Sequence, residues 1–281
     1  MGIAIIGGGV AGITAALDLA NSGYKVYLVE KNAELGGKMA ELAECKVGLS
    51  PRVVEIENHP NIELMLSSEL ESLSGSAGNF TLKVSGTKIE AESVVLAPGY
   101  DVFDNIAKSY GFGSPDVVTS LDFEGMLRAS TKSGELLRPS DNKPVKKIGF
   151  IECVGSRCQE NEICSTACCA YTAKEVWVLK ERYPDVDVSV FYMDIRVFGK
   201  DEELVAELKD KYGVKYIRSR VPEVIPERGS LKVKYEDLKK GAIANLDFDM
   251  IVLAVGLLPS KTLGRLSEIT GVKTDKYGYV E

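Results

Sequence analysis

Five of the six cysteines lie within 17 residues, spaced Cys153-x4-Cys158-x5-Cys164-x3-Cys168-Cys169. Thiolates at this density can hold an iron–sulfur cluster, which needs four soft ligands. Zinc is an alternative, but four-cysteine zinc sites usually consist of two C-x2–4-C pairs joined by a long spacer. Redox thiols or simple packing would also account for the cysteines, although the C-x-x-C of a thioredoxin-type exchange centre is absent from the sequence. The spacing favours a cluster.

Histidine and charge content exclude several other kinds of site. The only histidine is His59, which argues against a His-based metal site and a Ser-His-Asp triad. A secreted disulfide scaffold would be shorter and would spread its cysteines along the chain, so we expect a cytoplasmic protein. The net charge of −7 argues against a nucleic-acid partner. The apolar runs are too short to span a bilayer.

A second candidate site is the glycine-rich turn near the start of the chain. Gly7, Gly9 and Gly12 fit the pattern G-x-G-x-x-G, between a predicted strand and a predicted helix. These glycines permit a tight turn and a close approach to a pyrophosphate, which the helix N-terminus holds. Glu30, at the end of the next predicted strand, can accept hydrogen bonds from both ribose hydroxyls. A glycine-rich turn without a ligand and an NAD site are the alternatives.

FAD is favoured over NAD because a paired glycine, Gly36-Gly37, follows the acidic residue closely, as is typical of FAD-binding two-domain oxidoreductases. Lys38, Ser50 and Arg52 are further candidates to approach the flavin ring. The predicted cofactor-binding residues are Gly7, Gly9, Val10, Ala11, Gly12, Glu30, Lys31, Gly36, Gly37, Lys38, Ala97 and Gly99.

The elements that position these residues form two α/β patterns in series. Residues 2–6, 10–20 and 25–29 predict strand, helix and strand, which is a βαβ unit with a parallel sheet. A similar succession begins at residue 148. The polar segment 131–147, with two prolines, marks a predicted boundary.

The predicted fold is therefore an α/β flavoprotein with two dinucleotide-binding domains of the thioredoxin reductase type. Residues 1–140 form the first part of an FAD domain, 141–260 an inserted NAD(P)-like domain that carries the cysteines, and 261–281 a return segment toward the FAD domain.

The turn after the first strand of the second pattern differs from its counterpart in pyridine nucleotide reductases. Those proteins carry another glycine motif there, whereas this chain has Cys153 followed by Val154-Gly155-Ser156. A cysteine stands where a pyrophosphate would need glycine. The second half is predicted to have exchanged nucleotide binding for a cluster.

Several motifs in order resemble the heterodisulfide reductase A-subunit family. The resemblance extends from about Gly2 to Glu281. The motifs are Gly36-Gly37-Lys38-Met39-Ala40, His59-Pro60-Asn61-Ile62-Glu63-Leu64, Cys153-Val154-Gly155-Ser156-Arg157, Cys164-Ser165-Thr166-Ala167-Cys168-Cys169-Ala170-Tyr171 and Tyr192-Met193-Asp194-Ile195-Arg196-Val197-Phe198-Gly199-Lys200.

The resemblance implies an electron-transfer subunit in which FAD and a [4Fe–4S] cluster pass electrons to iron–sulfur partner subunits, and some family members bifurcate electron pairs. By position, the implied cluster ligands are Cys153, Cys164, Cys168 and Cys169. Lys174 aligns with a family lysine near the flavin, where its charge would stabilise anionic reduced flavin. A solvated helix lysine is the alternative.

The chain departs from the family pattern in its loops and at its end. The loop between Cys153 and Cys164 is shorter, Cys158 is an extra thiol, and only Cys45 remains after the paired glycine. No ferredoxin-like cysteine run exists, so further clusters are expected on other subunits. The sequence stops before a last FAD-domain strand, so a complementary chain or a homo-oligomer is expected to complete the site.

Two different functions stay open beside this one. The first is an NAD(P)H-dependent FAD disulfide oxidoreductase, which would need a nucleotide motif in the second half. The second is a scaffold, or a partial flavoprotein subunit that binds flavin only with a complementary chain.

Overall fold

A computed structural model describes residues 2–43, 49–238 and 240–281, without the side chains of residues 131–133. Cys45 lies outside the described residues. Two short 3-10 helices, Gly37–Glu41 and Lys108–Tyr110, accompany the longer elements. In chain order those elements are β1 (Gly2–Ile6), α1 (Val10–Asn21), β2 (Val26–Val29), α2 (Leu49–Asn58), β3 (Ile62–Met65), β4 (Leu70–Ser76), β5 (Asn79–Val84), β6 (Thr87–Leu96), β7 (Tyr100–Val102), β8 (Val117–Thr119), α3 (Ser120–Ser133), β9 (Lys147–Val154), α4 (Cys168–Arg182), β10 (Asp187–Tyr192), α5 (Lys200–Asp210), β11 (Lys215–Arg218), β12 (Glu223–Glu227), β13 (Ser230–Asp237), β14 (Ala242–Phe248), β15 (Met250–Val255), β16 (Leu257–Pro259) and α6 (Lys261–Thr270).

The chain divides into two compact units. Unit 1 comprises residues 1–101 and 259–281, and unit 2 comprises residues 102–258. The chain therefore passes from one unit to the other twice, and unit 1 is built from two separate stretches of sequence.

Unit 1 contains a six-stranded sheet in the order β3-β2-β1-β6-β5-β4. The first four strands of this order are parallel, and the last pairs are antiparallel. In register, Ile6 at the end of β1 pairs with Val29 on one side and Leu96 on the other. The order reverses at β1, and parallel sheets bind ligands in the crevice at such a switch point.

Both faces of this sheet are covered by apolar side chains, as a parallel sheet requires. On one face, Ile5 and Leu28 pack with Ile13 of α1 and Ile56 of α2. On the other face a second cluster includes Ala4, Val29, Leu82 and Leu266. Leu266 belongs to α6, so the last helix helps to close the core that the first hundred residues begin.

Unit 2 contains a five-stranded parallel sheet in the order β11-β10-β9-β15-β8 and a three-stranded antiparallel sheet, β12-β13-β14. One core cluster joins them, with Phe191 of β10 packed edge-on against Phe248 of β14. The succession β9, α4, β10 repeats the succession β1, α1, β2. The predicted second α/β pattern is present.

The first boundary between units falls at residues 101 and 102, and not at residue 140. The reason is the short strand β8, which pairs with β15 from Val117 to Thr119. A buried ion pair between Asp116 Oδ2 and Arg138 Nη2, 2.9 Å apart, ties the following segment to the same unit. Residues 102–140 therefore belong to unit 2.

Within the part of the chain that the structure describes, no helix combines the length and apolar character needed to cross a bilayer.

Candidate functional site

The glycine turn between β1 and α1 is shaped by two close backbone approaches. Gly7 has φ +115°, and a β-carbon there would lie 2.1 Å from the carbonyl oxygen of Ala97. A β-carbon on Gly12 would lie 1.8 Å from the carbonyl oxygen of Gly7. Ordinary side chains cannot occupy either position, so these glycines are required by the turn itself.

Gly9 has a different environment. It caps α1 in an extended conformation, φ −78° and ψ −175°, and an added β-carbon would meet no atom within 4 Å. Packing does not require glycine here, whereas a ligand approaching the backbone would. The first intrahelical bond runs from Ile13 N–H to the Gly9 carbonyl, so the preceding amides can point to an anion. The first turn of α1 carries no acidic side chain.

Glu30 lies at the carboxyl end of β2, where it is buried. Its Oε2 accepts a hydrogen bond from Gly8 N–H at 2.6 Å, and its Oε1 accepts one from Asn32 N–H at 2.8 Å. These bonds fix the carboxylate beside the glycine turn. Each oxygen keeps acceptor capacity for a ribose hydroxyl.

The paired glycine contacts the same turn. Gly36 has φ +118°, and its N–H donates to the Gly8 carbonyl at 2.8 Å. A β-carbon on Gly37 would lie 3.2 Å from the Gly9 Cα. Lys38 comes next in the chain and forms an ion pair with Glu41 at 3.1 Å.

These residues surround a cavity of about 710 Å³ in unit 1, a size typical of ligand pockets. The predicted cofactor residues line it with one exception, Gly12, which lies within the turn. Arg52, which donates to Thr14 Oγ1 at 2.9 Å, and Ser50 are not part of the lining. The predicted residues that line the cavity are Gly7, Gly9, Val10, Ala11, Glu30, Lys31, Gly36, Gly37, Lys38, Ala97 and Gly99.

Part of the cavity wall was not predicted from the sequence. Thr262, Arg265 and Leu266 of α6 contribute to it, as do Tyr100 and Asp101 after β6. No motif marks α6, which follows all of unit 2 in sequence. The only sequence signal that could have placed α6 in the cavity wall is its position after the apolar strand β15.

The cysteines occupy the corresponding turn of unit 2, between β9 and α4. Cys153 is the last residue but one of β9, with φ +65°, and Cys168 and Cys169 begin the helix. Arg157 and Thr166, in the same turn, also have positive φ, 55° each. This conformation costs non-glycine residues of order 1–3 kcal/mol, and such strain is concentrated at functional sites.

Hydrogen-bond donors and one acid surround the thiols. Cys169 Sγ donates to Glu152 Oε2 at 2.9 Å and accepts from Arg196 N–H at 3.4 Å. The Thr166 N–H donates to Cys164 Sγ at 3.4 Å. Ser165 Oγ lies 2.8 Å from Cys168 Sγ. Cys158 lies in a tight turn closed by backbone bonds with Asn161.

Burial raises the pKa of three of these thiols, Cys153, Cys168 and Cys169, and so favours their protonated form. It raises the pKa of Cys153 to about 12, an effect strengthened by the nearby Glu152 carboxylate. Burial also raises the pKa of Cys168 and of Cys169. The pKa of Glu152 itself rises to about 7, again mainly through burial.

Thiols are soft metal ligands, but the arrangement of these cysteines is not that of a metal cage. Among residues 2–43, 49–238 and 240–281, no three or more histidine, cysteine or acidic side chains surround a common point that could hold an ion. Metal binding displaces thiol protons and can reorganise its ligands. The described residues therefore include thiols of the type that binds soft metals, but not the geometry of a formed metal site.

Lys174 lies on α4 and forms an ion pair within unit 2. Its Nζ donates to both carboxylate oxygens of Glu124 at 2.8 Å. The Glu124 side chain is 2% exposed and the Lys174 side chain 17% exposed. The side chain is therefore held, and is not that of a solvated helix lysine.

Comparisons with known proteins agree with this architecture. The family described as pyridine nucleotide-disulphide oxidoreductase matches residues 1–129. Among solved structures, thioredoxin reductase of T. acidophilum superposes with a TM-score of 0.63 at 20% identity, covering 99% of this chain and 83% of that one. The predicted thioredoxin reductase-like fold with parallel sheets is confirmed.

Two curated relatives match nearly the whole chain. The A subunit of the H(2):CoB-CoM heterodisulfide,ferredoxin reductase of Methanothermobacter marburgensis is 31% identical over 370 residues, covering 98% of this chain. The second iron–sulfur A subunit of the CoB--CoM heterodisulfide reductase of Methanopyrus kandleri is 30% identical with the same coverage. The chain spans 56% of each relative's length. Since 370 aligned residues exceed the 281 of the chain by 89, the relatives also carry insertions within the matched stretch.

Proposed function

We propose that this chain, which belongs to the heterodisulfide reductase A-subunit family, is an oxidoreductase subunit that binds FAD and a [4Fe–4S] cluster. It would transfer electrons between the flavin and iron–sulfur partner subunits of a heterodisulfide reductase-like complex in the cytoplasm. The proposal extends to bifurcation of electron pairs between two acceptors in such a complex.

The observation that carries this proposal is the difference between two equivalent turns. In unit 1 the turn from β1 to α1 leaves open space at Gly9, beside the buried Glu30. In unit 2 the turn from β9 to α4 contains thiols and strained backbone. One turn suits a dinucleotide, while the other suits soft-metal ligands.

Each part of the chain has a proposed role. FAD supplies one- and two-electron chemistry when bound. The first amides of α1 hold the pyrophosphate, and Glu30 accepts the ribose hydroxyls. Cys153, Cys164, Cys168 and Cys169 are the proposed cluster ligands. Lys174 is proposed to act near the flavin, with Glu124 setting the position of its ammonium group.

Anaerobic reconstitution with FAD, iron and sulfide tests the proposal. We expect about one flavin and about four iron atoms per chain, as four-cysteine ligation requires. Cys168→Ser should lose most of the iron. Cys158→Ser is the matched control, because Cys158 lies in the same loop but outside the proposed ligand set, and it should retain the iron.

Two results would contradict the proposal. A protein without iron or flavin after careful reconstitution would remove its basis. Rapid bleaching of bound flavin by NADH or NADPH alone would instead favour a self-contained disulfide oxidoreductase.

A further inference from the structure

Helix α6 forms one wall of the cavity in unit 1, although unit 2 separates it in sequence from the rest of that wall. Thr262, Arg265 and Leu266 face the cavity. Two hydrogen bonds attach the start of the helix to the rim, from Lys261 N–H to Asp101 Oδ2 at 2.7 Å and from Lys31 Nζ to Thr262 Oγ1 at 3.1 Å. The helix is thus tied to the loop that follows β2 and to strand β7.

The core holds α6 in place independently of its cavity-facing cation. Leu263 and Leu266 are buried, and Leu266 shares an apolar cluster with Leu70 of β4. Ser260 caps the helix N-terminus by accepting from Thr262 N–H. These features fix the helix without Arg265.

The position of α6 relates to the adenosine half of a dinucleotide. The pyrophosphate is assigned to the glycine turn and the adjoining ribose to Glu30, at the end of β2. Because β3 lies beyond β2 in the sheet, the base must continue toward the segment that follows β3. Residues 68–70 and α6 form the cavity wall there.

The chemistry of this end suits a flat aromatic base. Leu70 and Leu266 close the cavity wall there, and each side chain is only 3% exposed, so the wall is apolar but leaves little leucine surface to a ligand. The Arg265 guanidinium lies at the edge of the cavity, where its Nη1 donates to Glu69 Oε2 at 2.8 Å. A planar guanidinium fixed by a carboxylate can stack on an aromatic ring, as a lysine cannot.

We propose that Arg265, oriented by Glu69, is the residue that selects ligands with an adenine end, so that the cavity takes a dinucleotide in preference to a flavin mononucleotide. This inference rests on the proposed FAD function. The guanidinium adds one face of the base-binding site.

The substitution Arg265→Ala can be tested without loss of the fold. The Arg265–Glu69 ion pair is about half exposed, and such pairs contribute little to folding. Lys83→Ala is a matched control, because its ion pair with Glu71 is also exposed and lies in unit 1 away from the cavity lining.

Titration of the flavin-free protein with FAD, ADP and FMN measures the effect, by calorimetry for ADP and by flavin fluorescence for the others. We expect Arg265→Ala to bind FAD and ADP about tenfold more weakly. FMN, which lacks adenosine, should bind both proteins equally weakly. Arg265→Lys should show most of the loss, and Lys83→Ala should bind all three ligands like the wild type.

The outcomes separate the two proposals. Arg265→Ala and Arg265→Lys proteins that bind FAD and ADP as tightly as the wild type would overturn the role of Arg265 while leaving the FAD function intact. A wild-type protein that binds neither FAD nor ADP would overturn both. An equal loss of FMN binding would also overturn the inference, since it would show a general disturbance of the cavity.

Discussion

The two glycines Gly9 and Gly12 should respond in opposite ways to the same added methyl group. At Gly12 the β-carbon would lie 1.8 Å from the Gly7 carbonyl oxygen, so the turn must open by more than 1 Å to reach ordinary contact. The β-carbon is fixed to the backbone of α1, and the oxygen belongs to the backbone of the turn. No flexible side chain can therefore move aside to relieve the contact. Overpacking of this kind costs typically about 1–3 kcal/mol, and we expect the upper end, about 3 kcal/mol.

At Gly9 the same methyl group meets no atom of the protein, and φ −78° suits any residue. Loss of backbone freedom in the unfolded chain should stabilise Gly9→Ala by up to about 0.5–1 kcal/mol. The methyl group nevertheless occupies the space through which a pyrophosphate approaches the backbone. FAD should therefore bind about tenfold or more weakly.

Thermal unfolding of the flavin-free proteins, followed by FAD titration, separates the two effects. Gly12→Ala should lower the Tm of unit 1 by roughly 10 °C. This follows when the loss of about 3 kcal/mol is divided by the unfolding entropy usual for a domain of the size of unit 1. Gly9→Ala should keep or slightly raise the wild-type Tm and lose affinity for FAD. The reasoning would be refuted if Gly9→Ala unfolded as early as Gly12→Ala, or bound FAD like the wild type.

Two further predictions concern buried charges in unit 2. Burial, followed by the nearby Glu124 carboxylate, raises the pKa of Glu175 well above its ordinary 4.5, while Lys174 opposes the shift. At a pH above the ordinary pKa of 4.5 and below the raised pKa, Glu175 keeps its proton in the native state and loses it in the unfolded state. The free energy of unfolding should therefore fall as pH rises, by about 1.4 kcal/mol per pH unit. Glu175→Gln should flatten this fall in urea titrations from pH 5 to 8, and parallel curves for the two proteins would contradict the assignment. Asp116→Ala should cost about 3 kcal/mol, because the buried Arg138 guanidinium loses its hydrogen-bonded carboxylate and keeps only the longer ion pairs with Asp141 and Asp249. Urea unfolding measures this cost, and a loss below about 1 kcal/mol would show that these two acids compensate for Asp116.

The glycine turn could be predicted because its determinants are local. Gly7 and Gly12 are five positions apart, and the strand and helix around them follow from neighbouring apolar residues. Glu30 follows from the same pattern, because a βαβ unit places the end of its second strand beside the first turn. Eleven of the twelve predicted cofactor residues therefore line the cavity, among 29 lining residues in all.

Contacts between distant residues could not be predicted in this way. Arg265 meets Glu69 from 196 positions away, and the Lys31–Thr262 bond spans 231 positions. The unit boundary was misplaced because β8 has only three residues, too few to show a periodic pattern. Its assignment depends on pairing with Ile251 and its neighbours, which no local signal reports.

The partner of Lys174 was hidden for the same reason. Glu124 lies 50 positions earlier on α3, and nothing in its local sequence distinguishes it from a surface acid. Burial of a carboxylate is a property of the packed helices, and becomes visible only when α3 and α4 are placed together.

The division of unit 1 into two stretches has a consequence for biosynthesis. Unit 2 is continuous, so residues 102–258 can complete their own core during translation. Unit 1 starts earlier but lacks Leu263 and Leu266 until α6 leaves the ribosome. The stretch made first is therefore the last to become fully folded. Its apolar sheet face stays exposed to aggregation until unit 2 and α6 have been synthesised.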